Sequence, residues 1–205
     1  MAIITLGPAG TYSHRAAAAL GEEVVFTESV GAIVDAVDTG VEPQGVVPIE
    51  NSIEGSVTEA LDALARTDVA VTQEIVTPIR HALVGRSDAP TTIASHPQAL
   101  SQCREYLDAH HPDATLEPVA STAQGVVRAG DAPEVAAIAH PATATGGLEV
   151  LAADIQDRAS NTTRFFAIAP AADRSTAGGK STVIVYPNTN YPGLLLELLE
   201  SFADR

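Results

Sequence analysis

The 205-residue chain has no tryptophan, one cysteine, one methionine, and only four tyrosines and four phenylalanines. Hydrophobic residues make up 45% and aromatics 4%, so a core has to be packed from Ala, Val, Leu and Ile. A lone Cys103 excludes an internal disulfide and a multi-thiolate metal centre. No apolar run is long enough to cross a bilayer. The opening residues, MAIITLGPAG, lack the basic start and long apolar stretch of a secretion signal, and a cytoplasmic location is expected. Cations are scarce too: ten arginines and Lys180 stand against 26 acidic residues, a net charge of −15. Without a basic patch to neutralise phosphates, nucleic acid and membrane surfaces are excluded as partners. The carboxylates are spread along the chain rather than gathered in blocks, as in the proteins of salt-loving archaea, and a halophilic origin is expected; an acidic bacterial protein is the alternative.

What is present is an alternation. β-rich runs at 2–6, 24–27, 45–49, 92–94, 115–119 and 135–139 are separated by Ala-rich helical patterns at 12–20, 30–39, 57–66, 97–109 and 122–129, with a short helix starting at Pro141. Such alternation predicts α/β layering with a largely parallel sheet. The stretch 69–84 is too long for one strand and is broken by Pro78, so it reads as two strands with a crossing point between them. A second crossing near 155–161 brings the chain back. The expected fold is two α/β subdomains with a cleft between them: residues 1–77 plus 156–170 form the first and 78–155 the second. Residues 171–179 read as a linker. After it come a strand at 181–186 and a helix at 193–202, too little to form a core alone.

Four polar turns lie between a strand and a helix: GPAGTYS (7–13), PIENSIEG (48–55), SHPQALSQC (95–103) and STA (121–123). In the first, Thr11 is placed to cap the helix; after the second, Ser56 and Glu59 fit a capping box. Taken singly, each turn is an ordinary helix cap. Taken together around a cleft, their unpaired N–H groups suit an anionic small molecule. On the helix expected from Pro97, Gln98 and Gln102 share one face while Leu100, Cys103 and Leu107 form the buried one, which aims Gln102 at a ligand and makes Cys103 a core residue. His14, His81, His96, His110, His111 and His140 show no metal-ligand spacing, so no metal site is expected.

The segments GPAGTYS, VPIENSIEGSV, SHPQALSQC, STAQGV and NTTRFF follow one another in the order and at the approximate spacing of the prephenate dehydratases, and the chain resembles that family from Met1 to about Ala169. The resemblance implies a two-lobed fold of the type II periplasmic-binding-protein kind. It also implies a carbon–oxygen lyase that converts prephenate to phenylpyruvate in L-phenylalanine biosynthesis, without metal or organic cofactor. By the same resemblance Thr163 donates to the departing hydroxyl and Arg164 grips a substrate carboxylate, preferably that of the pyruvyl group. Asn51, Ser95 and Gln102 complete the substrate-binding set, with Thr11, Ser13, Ser121 and Phe165 lining it. In a regular strand Thr163 and Arg164 face opposite sides, so the turn is expected to extend through Thr163, with the strand starting at about Phe165. The tail from Lys180 resembles the start of a regulatory ACT domain, with Pro192, Gly193 and Leu194 at its phenylalanine-binding motif. L-phenylalanine would act as effector only if that domain is complete. No chorismate mutase segment is seen before Met1, and the resemblance is to a monofunctional enzyme that associates as a homodimer or homotetramer. Arogenate as a further substrate and a non-catalytic two-lobed binding module for small anions are the alternatives.

Overall fold

The computed structural model describes residues 2–21, 23–175, 177–185 and 187–203. Their strands are β1 (Ala2–Leu6), β2 (Glu23–Thr27), β3 (Gly45–Asn51), β4 (Gly55–Ser56), β5 (Ala70–Pro78), β6 (Ala82–Gly85), β7 (Thr92–Ser95), β8 (Thr115–Pro118), β9 (Val135–Ala139), β10 (Glu149–Ala152) and β11 (Thr162–Ala169). The helices are α1 (Tyr12–Ala18), α2 (Val30–Asp38), α3 (Thr58–Arg66), α4 (Pro97–Gln102), α5 (Arg104–His110), α6 (Thr122–Asp131) and α7 (Leu194–Ala203), with single 3-10 turns at Pro141–Thr143 and Ala171–Asp173.

The strands form two separate sheets. One runs β2-β1-β3-β11-β5, with β4 paired to β3; the other runs β10-β6-β9-β7-β8. Both are mixed rather than largely parallel. The pairs β1–β2, β1–β3, β7–β8 and β7–β9 are parallel, as short βαβ units require. The strands at the crossings, β5, β6, β10 and β11, pair antiparallel because the chain leaves one sheet and returns to it along neighbouring paths. The edge strand β10 and the two-residue β4 were not foreseen.

Two connections join the sheets, one after Pro78 and one between Ile155 and Asn161, and they hydrogen-bond to each other. Ile79 N donates to Asn161 O at 2.9 Å, Ile155 N to His81 O at 3.0 Å, and His81 N to the Gln156 side-chain oxygen at 2.9 Å. Arg80 adds an exposed ion pair with Asp154 at 2.9 Å.

Helix α2 shows why the sequence folds as it does. Ser29 accepts from Ala32 N at 3.2 Å, and Val30, Ile33, Val34 and Val37, at spacings of three and four, bury one stripe against β1 and β3. On the other face of the sheet, Ile3, Val46, Phe165 and Ala167 pack against Ala16 and Ala17 of α1. Alanine there lets the helix lie close to the strands, and that closeness compensates for the scarcity of aromatics. In the second sheet Gly125 does the same for α6: a Cβ on it would sit 2.5 Å from Ala94 O.

Three local expectations are corrected. The helix expected over 97–109 is two, α4 and α5, broken at Cys103, because the returning connection interposes itself: Asp157 N donates to Gln102 O at 2.8 Å, and Asp157 Oδ1 accepts from Glu105 N at 3.1 Å. The capping box of Ser56 and Glu59 does not form. Ser56 is drawn into β4 opposite Glu50, so α3 begins one residue later, after Val57, with no side-chain cap. Residues 181–185 form no strand, and Tyr186, the last residue of the strand expected there, lies outside the described residues.

Candidate active site in the cleft between the two sheets

A cavity of about 330 Å³ lies between the sheets. One wall comes from the first lobe: Leu6, Gly7, Thr11, Tyr12 and Ser13 after β1, Pro48 and Asn51 on β3, and Thr163 and Phe165 on β11. The opposite wall is His96, Gln98, Ala99 and Gln102 of α4 and its cap, with Ala120, Ser121 and Thr122 at the start of α6. Ile79 and His81 of the first connection also line it. Among the described residues no Lys, Arg, Asp or Glu lines this cavity.

Helix starts supply much of its polarity. Thr11 Oγ1 accepts from His14 N at 3.2 Å and donates to Pro8 O at 2.9 Å. Ser121 Oγ accepts from Gln124 N at 3.1 Å, and His96 Nδ1 accepts from Gln98 N at 3.3 Å. Thr11 and Ser121 therefore cap their helices and line the cavity at once; Ser13 lines it from the first turn of α1.

A chain of side-chain hydrogen bonds runs along the cavity. Asn51 Oδ1 accepts from the backbone N–H groups of Ile53 and Glu54 at 2.9 and 3.3 Å. Those two donors fix the orientation of the amide, so Asn51 Nδ2 is the group that reaches Thr163 Oγ1 at 3.0 Å and Asn161 Oδ1 at 3.1 Å. Asn161 in turn donates through Nδ2 to Gln102 Oε1 at 3.0 Å. Two consequences follow. Thr163 Oγ1 acts as acceptor toward Asn51, and its own hydroxyl proton is left for another partner. Gln102 Nε2 is a buried donor with no partner among the described residues.

Of the residues expected at a site, Asn51, Gln102, Thr11, Ser13, Ser121, Thr163 and Phe165 meet in this one cavity. Phe165 is 1% exposed and joins the cavity lining to the core around Ile3 and Val46. Ser95 does not line it. It ends β7 fully buried, donating through Oγ to Ile138 O of β9 at 2.6 Å, a bond that ties the two strands together. The strand β11 begins at Thr162 instead of at about Phe165, and regular alternation then sends Arg164 to the face opposite Thr163. There its guanidinium lies over Phe166, 5.0 Å from the ring centre, with Nε 2.6 Å from Glu74 Oε1 and Nη1 3.8 Å from Glu50 Oε2. Glu74, which also pairs with Lys180, is held below the ordinary carboxylate range by Lys180 first and Arg164 second. Pro192, Gly193 and Leu194 stand at the start of α7, apart from the cavity lining.

Sequence reasoning passed over Tyr12, His81, His96 and Asn161. Tyr12 sits edge-on to His81 and His140 and donates its hydroxyl to Arg80 O; burial raises its pKa. His81, 2% exposed, has its pKa lowered by burial and stays neutral at pH 7. The sequence signal for both was adjacency to recognised segments, GPAGTYS and the Pro78 crossing. Cys103 is buried in the core with its thiol pushed up to about 12 by that burial, which suits an inert packing residue.

Comparison with known proteins agrees with this geometry. Residues 3–173 match the prephenate dehydratase family. A bifunctional chorismate mutase/prephenate dehydratase from Stutzerimonas stutzeri is 39% identical over 205 aligned residues, covering 96% of this chain and 56% of the relative. A prephenate dehydratase from Amycolatopsis methanolica is 34% identical, covering 99% of this chain and 70% of the relative. The chain thus spans little more than half the length of the bifunctional relatives. The crystal structure of prephenate dehydratase from Arthrobacter aurescens, in complex with L-Phe, superposes with a TM-score of 0.81 at 34% identity, over 100% of this chain and 72% of the other. With the two-lobed fold, the polar cleft and the match over 3–173 in agreement, the chain belongs to the prephenate dehydratase family.

Proposed function

We propose that the cleft converts prephenate to phenylpyruvate, carbon dioxide and water. The observation that carries this reading is the Asn51–Thr163 bond: Thr163 lines the cavity and its Oγ1 accepts from Asn51 Nδ2, which leaves its O–H available to donate to a substrate there. In the reaction the electron pair of the ring–carboxylate bond moves into the ring as carbon dioxide departs, and the bond from the ring to its hydroxyl oxygen breaks. That oxygen leaves as water after taking up one proton supplied by solvent, and the ring becomes aromatic. A threonine is a poor proton source at neutral pH, so Thr163 contributes a directed hydrogen bond that strengthens as charge develops on the leaving oxygen. Gln102 Nε2, the second free donor, serves a substrate carboxylate or carbonyl, and the helix starts at Thr11, His96 and Ser121 add their dipoles. No proton is removed from carbon, so this reaction calls for no carboxylate base.

The uncharged lining has two further consequences for substrate choice. A cation set against the ring carboxylate would hinder its loss as neutral carbon dioxide, and among the described residues no Lys or Arg lines the cavity. Among the described residues none lining the cavity is acidic, so an α-ammonium, as in arogenate, would gain no ion pair from them. Arg164 then acts from outside the cavity, fixing β11 through Glu74, Glu50 and Phe166.

We extend the reading to organisation. The segments 1–77 plus 156–170 and 78–155 are the two halves of the catalytic unit, working in the cytoplasm as a dimer or tetramer. The stretch from Lys180 is read as an ACT-like regulatory segment: α7 has no buried residue and exposes Leu195, Leu196, Leu199 and Phe202. The test is incubation of the purified protein with prephenate while phenylpyruvate absorbance is followed. Turnover is expected; binding of prephenate without its consumption would leave a binding module instead.

A further inference from the structure

The relay Ile53/Glu54–Asn51–Asn161–Gln102 does not stop at Gln102. Gln102 Oε1, already accepting from Asn161, lies 3.0 Å from His81 Nε2. An oxygen can only accept, so the imidazole must carry its proton on Nε2 and donate it. Since burial keeps His81 neutral, Nδ1 then bears the lone pair, and it is the ring atom left without a partner. Each amide orientation in the series follows from the one before it, and the first is set by two backbone N–H groups that cannot turn round.

We propose that His81 is a positioning residue for the reaction: its Nε2–H, together with Asn161, holds Gln102 with the amide nitrogen free for substrate, and its tautomer is dictated from Asn51. Without His81 one of the two bonds to Gln102 Oε1 is gone, and the amide can turn its oxygen toward an anion. The surroundings of His81 support a fixed ring over an acid–base group. Tyr12 packs edge-on at 6.1 Å between centroids, the backbone N–H is held by Gln156 Oε1, and its carbonyl accepts from Ile155 N. Tyr12, which packs on the ring, has its hydroxyl engaged with Arg80 O; His140, kept neutral by burial, is close enough to be influenced by the charge of His81, and Arg80, the preceding residue, is paired with Asp154. This inference deepens the reading of the cleft given above and rests on it.

The relay can be read without turnover. In ¹⁵N-histidine NMR at neutral pH, the His81 signals, assigned by their loss in H81Q, should show Nε2 protonated and Nδ1 bare. Asn51→Asp keeps the acceptor for Ile53 and Glu54 but removes the donor to Asn161. Asn161 and then Gln102 should turn round in sequence, presenting Gln102 Nε2 to the imidazole and switching His81 to its Nδ1–H tautomer. An Nδ1–H signal in the unaltered protein, or no switch in N51D, overturns the relay.

Turnover supplies the second arm, and it remains informative if N51D does not fold. H81Q, which restores an N–H donor near the same place, should keep prephenate kcat/KM within about threefold and leave its pH profile unchanged. H81L should lose about tenfold, the upper end of what losing one hydrogen bond costs. In a Q102A background H81L should cost nothing further. Loss in that background, or a pH-profile limb that H81Q abolishes, shows that His81 acts otherwise. If the tautomer switches as stated but prephenate is not consumed by the unaltered protein, the relay stands and the assigned activity falls.

Discussion

At the residue scale, Thr163 is distinguished by having its hydroxyl oxygen occupied and its hydrogen free. Thr163→Val keeps the shape and the β-branched strand preference but removes both functions. It should lower kcat for prephenate by roughly 10²–10³-fold, the usual effect of removing one donor aimed at developing charge, with KM little changed. Thr163→Ser should retain much of the rate. Equal loss in the two variants, by phenylpyruvate absorbance, would point to packing rather than donation. The contrast with Arg164 shows what the sequence could convey. Both residues stood in one recognised stretch, NTTRFF, but a motif lists neighbours and says nothing about faces. Once β11 begins at Thr162, alternation gives Thr163 to the cavity and Arg164 to Glu74. Ser95 parts from the cavity set for a related reason: a hydroxyl between strand and helix is equally suited to a ligand or to a neighbouring carbonyl, and here it donates to Ile138 O, 2.6 Å away.

At the element scale, the site is an assembly of strand and helix ends, and its dimensions depend on how closely helices seat on sheets. Gly125 is the sharpest case. Its backbone N–H bonds to Ser121 O at 3.1 Å, and a methyl group there would press on Ala94 O and on Ser95. A carbonyl of a central strand cannot move aside, so Gly125→Ala should lift α6 from the sheet and carry Ser121 and Thr122 away from the cavity. Overpacking of this kind costs about 1–3 kcal/mol. The expected result is a lower thermal midpoint and a raised KM, with kcat affected less, since Thr163 and Asn51 sit on the other sheet. An unchanged KM would mean that α6 contributes nothing to binding. Most elements were legible because their periodicity is local: α2 reads from Val30, Ile33, Val34 and Val37 without any knowledge of the sheet. The break at Cys103 was not, because its cause, Asp157, is more than fifty positions away and belongs to the connection that makes the cleft.

At the scale of the whole molecule, charge and protonation act together. A net charge of −15 means mutual repulsion among surface carboxylates, which salt screens: the Debye length falls from about 10 Å at 0.1 M to about 3 Å at 1 M. The thermal midpoint should rise with KCl over that range, by about 2–4 °C for each kcal/mol of repulsion removed at this chain length. A midpoint indifferent to salt would show that the acidic surface carries no folding penalty in dilute buffer. Acid acts differently. His140 accepts from Ala142 N through Nδ1 at 3.1 Å, and burial moves its pKa from the ordinary 6.5 to about 4, with the positive charges of Arg15 and Arg80 acting the same way. In this window the unfolded chain binds a proton that the folded chain refuses, so stability rises with pH between about 4 and 6.5 and is lost as pH falls through the same interval. Carboxylates held low by partners, Glu74 and Glu117, lose their contribution at more acidic pH, and falling net charge works in the opposite direction across the range. The difference between two proteins isolates the histidine. His140→Asn preserves a good cap for the turn at Pro141–Thr143 and has no proton to take up. Between pH 4 and 6.5 the variant should lose less stability than the parent in urea unfolding, while above pH 7 the two curves run parallel. Parallel curves across the acid window as well would show that His140 takes up its proton equally in the folded and unfolded chains.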